Sequence, residues 1–225
     1  MGRAHRINVG GIVYHVINRA NARMQIFDTP RDYQLFEEIL EQAKERIHVS
    51  IFSYCIMPNH WHLVLEPQKD GDLSKFMHWL TLTHTQRWHA QKNSIGSGHI
   101  YQGRYKAFPV QTDEYFLWVC RYVERNPIRA GLVRNVDDWN WGSVWQREHG
   151  TTRQRKLLDA WTTQPPRDYL KWLKEPEEDN VLKKIRSSVN RGQPFGDEEW
   201  SDAMIKAFNI QSTVTPRGRP KKVVV

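Results

Sequence analysis

The chain has 225 residues, with 33 Lys and Arg against 25 Asp and Glu, a net charge of +8 and a pI near 9.5. A domain typically holds about 100–200 residues, so this length predicts one globular domain with an appendage, large enough to fold without disulfide or metal staples. No apolar run reaches the roughly 20 residues that span a bilayer, the opening MGRAHRINVGG lacks the apolar core of a signal peptide, and the excess of cations selects polyanions as partners, nucleic acid ahead of an anionic membrane surface.

Residues 11–17 (GIVYHVI) mix alternating apolar and β-branched residues and predict a first strand. Asp28 or Thr29 then offers a helix N-cap ahead of Pro30, which suits a first turn. In the stretch that follows, Leu35, Ile39, Leu40 and Ala43 fall on one face of an amphipathic helix. VSIFSYCIM (49–57) and HWHLVLEP (60–67) read as strands joined by the turn residues Pro58 and Asn59, a hairpin. Asp72 offers a cap for a long helix from Leu73 to about Gln91, which the loop 92–100 ends. YKAFPVQ (105–111) predicts a short strand, placed at a sheet edge by Pro109, which has no N–H to donate. Thr112-Asp113-Glu114 has a capping pattern for a helix that must bend or stop near Pro127, with Gly131 as its stop.

This order predicts an α+β fold, a ferredoxin-like antiparallel sheet with helices packed on one face. Composition changes near Thr151. The expected organisation is a catalytic-type core to residue 148, a small helical extension over 149–211 with two short helices around a Gly/Pro loop, and a basic tail over 212–225. Cys55 and Cys120 sit in apolar surroundings without a CxxC spacing, which predicts buried, reduced thiols.

Chemistry concentrates at two places. In a strand, residues i and i+2 share a face, so His60 and His62 project together, about 7 Å apart at Cα, while Trp61 turns to the core. Two imidazoles so placed can converge on a divalent ion that polarises a phosphodiester. On the last predicted helix Tyr122 and Asn126 are four apart and share a face. Asn126 offers a carboxamide oxygen to such an ion, and Tyr122 a phenol whose ionised form the ion favours. Tyr115, seven residues earlier on roughly the same face, is the rival nucleophile, weakened by an apolar Val119 at i+4. Arg19, Arg23, Arg104, Lys106, Arg121, Arg125 and Arg129 flank the site in sequence and offer phosphate contacts, and Tyr101 and Tyr105 offer stacking platforms for unpaired bases.

MPNHWHLVLEP resembles the HUH signature of histidine, bulky hydrophobe, histidine, and YVERNPIRAGLV resembles the tyrosine helix of single-tyrosine HUH transposases. With GHIYQGRYKAF between them, residues 5 to 145 are similar to the REP-associated tyrosine transposases, and SVNRGQPFGDEEW resembles the C-terminal extension of some members. The resemblance implies His60 and His62 as the metal pair, Asn126 as the third ligand and Tyr122 as the nucleophile. It implies cleavage of single-stranded DNA at hairpin-forming repeated palindromes, a 5′-phosphotyrosine link and a free 3′-OH that can reverse the step. Mg²⁺ or Mn²⁺ is the expected ion, since an open, oxygen-containing set suits both. By analogy the protein is expected to act as a monomer in the bacterial cytoplasm, on the nucleoid. The tail PRGRPKK resembles an AT-hook core, in which Arg217 and Arg219 would enter the minor groove of A/T-rich duplex. A DNA-binding regulator without catalysis would have no need of the full histidine–tyrosine set. A ferredoxin-like RNA-binding module would show exposed aromatics where the histidines stand.

Overall fold

Four strands, β1 (Val13–Arg19), β2 (Val49–Met57), β3 (His60–Pro67) and β4 (Lys106–Val110), pair antiparallel in the order β2-β3-β1-β4. They belong to a computed structural model that describes residues 7–215, so the Arg217 and Arg219 expectation lies outside the described residues. β1 starts two residues later than the sequence suggests and runs on to Arg19. The two-residue turn at Pro58-Asn59 closes the predicted hairpin, and β4 is an edge strand, as Pro109 required.

Helix α1 (Pro30–Arg46) begins with a capping box between Thr29 and Asp32, and α2 (Asp72–Gln91) follows β3. At α2 the cap falls one residue early: Gly71 takes the position in the left-handed region (φ 87°), and the Asp72 carboxylate pairs with Lys75 at 3.0 Å instead. Helix α3 (Glu114–Glu124) is capped by Asp113, whose side chain accepts from the Tyr115 N–H at 2.9 Å. It gives way before Pro127 to a single turn, α4 (Asn126–Arg129).

The α+β antiparallel expectation is met, with one correction to where the helices lie. Alternation along β1 and β3 sends Tyr14, Val16, Trp61, Leu63 and Leu65 to one side, where α1 and α2 cover them in a cluster with Phe36, Leu40 and Phe76. The opposite side carries Val13, Val64 and Phe108 and is covered by α3 through Phe116, Val119 and Val123. Both faces of the sheet are apolar, so a third helix is needed on the second face.

The chain continues through α5 (Ser143–His149), α6 (Thr152–Arg155), α7 (Tyr169–Lys174), α8 (Asp179–Arg191) and α9 (Glu198–Ala207). Ile185 of α8 and Phe195 join the α3 side of the core, and Phe195 bonds the β4 edge through its N–H to Pro109 O at 2.9 Å and its carbonyl to Gln111 N at 3.0 Å. Cys55 and Cys120 are free and buried. Among the described residues no helix is long and apolar enough to cross a membrane.

Candidate active site

Strand alternation sets the site. Trp61 is fully buried on the α1–α2 side, where its Nε1 donates to the Tyr101 hydroxyl at 2.9 Å, and this fixes His60 and His62 on the α3 side. Their ring centroids stand 5.1 Å apart. The Nδ1 of His60 lies 2.6 Å from Asn59 Oδ1 in the hairpin turn, a carboxamide oxygen that accepts its proton and leaves Nε2 as the bare lone pair. That Nε2 is 3.5 Å from the Asn126 carboxamide nitrogen, and rotation of the carboxamide by half a turn presents its oxygen there.

His62 is anchored in the same manner. Its Nδ1 is 2.8 Å from Nε2 of the wholly buried His15, and the two rings stack at 5.0 Å and 19°. Both candidate ligands therefore use Nδ1 for a protein partner and keep Nε2 for the site, the arrangement that fixes imidazole ligands in orientation. Burial, with a smaller effect from the Arg19 charge, pushes the His60 imidazole down to about 3. Burial and the neighbouring His15 and His60 hold His62 well below its ordinary value. The pair is thus neutral at physiological pH, the form that ligates metal.

From the facing element, Tyr122 brings its ring within 6.0 Å of His62 and 6.2 Å of His15. Arg129 lies over that ring with Cζ 4.2 Å from the centroid and donates from Nη2 to the Tyr122 carbonyl at 2.5 Å. Two imidazole nitrogens and one carboxamide oxygen suit a divalent ion with open positions. Among the described residues no group of three or more His, Cys, Asp or Glu could hold a metal, so a three-ligand protein set here would take its third donor from Asn126. Tyr115, at the start of α3, packs on Trp118 and Phe195 and meets none of these groups.

The basic residues divide. Arg19 pairs across the sheet with His60 and is half-buried, with its Nε lacking a partner among the described residues. Arg23, Arg104 and Lys106 are exposed. Arg19, Arg104, Lys106 and Arg191 line a crevice of about 540 Å³ along the β4 edge, and no carboxylate lines it. Arg121 and Arg125, expected to offer phosphate contacts, are instead buried under the C-terminal segment, since α7 and the chain after it cross that face of α3. Tyr101 and Tyr105 are buried as well and present no stacking surface: Tyr101 is consumed by Trp61 and by His84, 2.7 Å from its hydroxyl. Sequence reasoning missed His15, whose signal was a lone polar residue within the apolar run VYHVI.

Residues 8–126, just over half of the chain, match the profile of the family described as "Transposase IS200 like". A REP-associated tyrosine transposase of Escherichia coli (strain K12) is 24% identical over 135 residues, 58% of this chain and 74% of that protein. The fold is similar to a solved structure of a REP-associated tyrosine transposase bound to a REP hairpin, with a TM-score of 0.55 and 19% identity over 71% of this chain and 89% of that one. The matched span takes in the whole sheet and ends at Asn126, the last residue of the candidate set. On this evidence the chain belongs to the IS200-like transposases, a family of enzymes that act on DNA.

Proposed function

We propose that the protein breaks and rejoins single-stranded DNA at hairpin-forming repeats, with Tyr122 as the nucleophile. The observation that carries this reading is the convergence of His60 Nε2 and His62 from β3 with Asn126 from α4 beside the Tyr122 ring of α3, a meeting of strand and helices that exists only in the folded chain. The solved transposase of similar fold is bound to a REP hairpin, which supports the same class of substrate here.

His60, His62 and Asn126 would hold a divalent ion, Mg²⁺ or Mn²⁺, which when bound neutralises charge developing on the phosphate oxygens. Attack by Tyr122 Oη on phosphorus forms the P–Oη bond and breaks the P–O3′ bond. The phenol releases its proton and the 3′ oxygen departs as a hydroxyl. The 5′-phosphotyrosine retains the energy of the phosphodiester, so the 3′-OH can reverse the step without a nucleotide cofactor. Arg19, Arg23, Arg104 and Lys106 supply the cationic approach, supported by a crevice free of carboxylates. Arg217 and Arg219 are inferred to add contacts to A/T-rich duplex.

Labelled single-stranded hairpin DNA incubated with protein and Mn²⁺ or Mg²⁺, then run on a denaturing gel, tests the reading. A covalent band is expected with the wild type, none with Tyr122→Phe, and hairpin binding is expected to persist in that variant. An adduct that survives Tyr122→Phe would assign another nucleophile. No adduct on any hairpin that the protein binds would favour a DNA-binding regulator.

A further inference from the structure

Arg121, Arg125 and Arg129 stand four residues apart, and the C-terminal segment is tied down along all three. Arg121 stacks on the Trp172 ring with Cζ 4.3 Å from its centroid, and its Nη2 donates to the carbonyls of Trp172 and Glu175 at 2.8 and 2.7 Å. Arg125 donates to the Leu173 carbonyl from Nη1, and its Nε meets Glu177 Oε2 at 2.6 Å. Arg129 Nη1 meets the other carboxylate oxygen, Oε1, of the same Glu177. Among the described residues Glu177, with its side chain 6% exposed, is thus the one anion shared by these two desolvated guanidinium groups, and removing it would leave both without that partner.

The same Arg129 guanidinium reaches the candidate nucleophile. Nη1 is held by Glu177, Nη2 by the Tyr122 carbonyl, and the plane lies over the Tyr122 ring. Three contacts fix its orientation, as only a planar fork allows. The ring it covers is in the last turns of α3, where the helical ladder is interrupted: Pro127 has no N–H to give to the carbonyl of Val123. Order at Tyr122 therefore depends on side-chain contacts more than it would in mid-helix. An ion pair serving only to attach the C-terminal segment would be complete with Arg121 and Arg125, which do not touch the ring.

We propose that Glu177 is a positioning residue for the nucleophile. It holds the Tyr122 ring against the histidine pair through Arg129, which makes the segment from Trp172 to Glu177 part of the catalytic apparatus. This rests on the reading of Tyr122 as nucleophile. Glu177 itself touches neither the reacting atoms nor the ligand set.

The test places 3-fluorotyrosine at position 122 in the full chain and records its ¹⁹F signal without DNA. Glu177→Gln, Glu177→Asp, Arg129→Gln and the double variant Glu177→Gln/Arg129→Gln are compared. The expected result is a shifted or broadened signal in Glu177→Gln, a largely restored one in Glu177→Asp, and no change in the double variant beyond that of Arg129→Gln alone. At saturating hairpin the single-turnover rate of adduct formation is expected to fall about 10- to 100-fold in Glu177→Gln, with hairpin Kd nearly unchanged. Should Glu177→Gln fail to fold, Arg129→Lys keeps the charge, loses the planar fork and tests the same link. A ¹⁹F signal unchanged in Glu177→Gln would overturn the proposal. So would rate, Kd and thermal stability falling together, because Glu177 would then be a structural anchor alone. Lack of adduct in the wild type would overturn Tyr122 as nucleophile and with it the catalytic part, while the ¹⁹F comparison would still decide whether Glu177 orders the ring.

Discussion

At His62 one hydrogen bond decides which ring nitrogen is available. If His62 Nδ1 donates to His15 Nε2, then His62 Nε2 is a lone pair facing the site and His15 carries its proton on Nδ1. That Nδ1 is buried and has no partner among the described residues, at a cost of about 1–3 kcal/mol for an unsatisfied donor. The reverse arrangement leaves His15 Nδ1 an unpaired acceptor in place of an unpaired donor and puts a proton on His62 Nε2, where a cation would have to displace it. A cation at Nε2 therefore selects the first arrangement, and His15 is the acceptor that makes it possible. His15→Phe keeps a ring to stack but removes that acceptor. It is expected to weaken Mn²⁺ binding about 10- to 100-fold in a calorimetric titration, the range found when outer partners of metal-bound histidines are lost. Unchanged affinity would reduce His15 to packing.

Helix α3 carries the nucleophile candidate at one end of a buried polar hub. Glu124, its last residue, has a side chain closed to solvent and accepts from Ser143 Oγ at 2.7 Å, Ser53 Oγ at 2.9 Å, Arg147 at 2.8 Å and the Tyr169 hydroxyl at 2.6 Å. One carboxylate thereby joins β2, α3, α5 and α7 two residues from Tyr122. Glu124→Ala leaves the Arg147 cation without its carboxylate and the Tyr169 hydroxyl without its acceptor, while Ser143 Oγ keeps the Tyr54 carbonyl and Ser53 Oγ keeps Ser143, an expected loss of about 3–5 kcal/mol. For a chain of this size that lowers the unfolding midpoint by roughly 10 °C, readable in a thermal melt. Because Tyr122 sits on the same element, the variant is also expected to slow adduct formation in the fraction that stays folded.

The whole molecule is poised against acid. His15, His60 and His84 are pushed by burial to about 3, and His62 lies well below its ordinary value, against 6.5 for an unperturbed imidazole. Below pH 6.5 the unfolded chain binds protons at all four and the folded one does not, so stability is fully present above 6.5 and is lost as pH falls towards 3. Each imidazole contributes a slope of about 1.4 kcal/mol per pH unit well inside that window. Glu37 acts the other way: burial raises its carboxyl to about 7, so the stability it gives is present at low pH and lost as pH rises through 7. Burial raises the Glu66 carboxyl in the same direction, and the four imidazoles outweigh these two carboxyls. Urea midpoints measured from pH 7.5 to 5 are expected to fall steeply below about 6, and His84→Gln, remote from the ligand set, to flatten the fall. A level profile over that range would contradict the buried neutral histidines.

Local patterns alone determined much of this protein. Alternation in VSIFSYCIM and HWHLVLEP, the Pro58-Asn59 turn, the i, i+4 stripe of α1 and the break at Pro127 specify their elements because each depends on neighbours in sequence. The same logic put His60 with His62 and Tyr122 with Asn126, so both halves of the site were legible. The packing that brings the halves together was not legible in local patterns, and only the family resemblance joined them, because the second face of the sheet is covered by a helix that starts 47 residues after the hairpin ends (Pro67 to Glu114). Tertiary packing likewise decided that His15 anchors His62, that Tyr101 and Tyr105 are buried, and that the Arg121–Arg125–Arg129 stripe is closed by Glu177 and its neighbours. A stripe of arginines reads the same in sequence whether its anion is a phosphate or a carboxylate fifty residues away. Only the fold, by desolvating one such pairing and leaving Arg19, Arg104 and Lys106 along an open crevice, distinguishes the two.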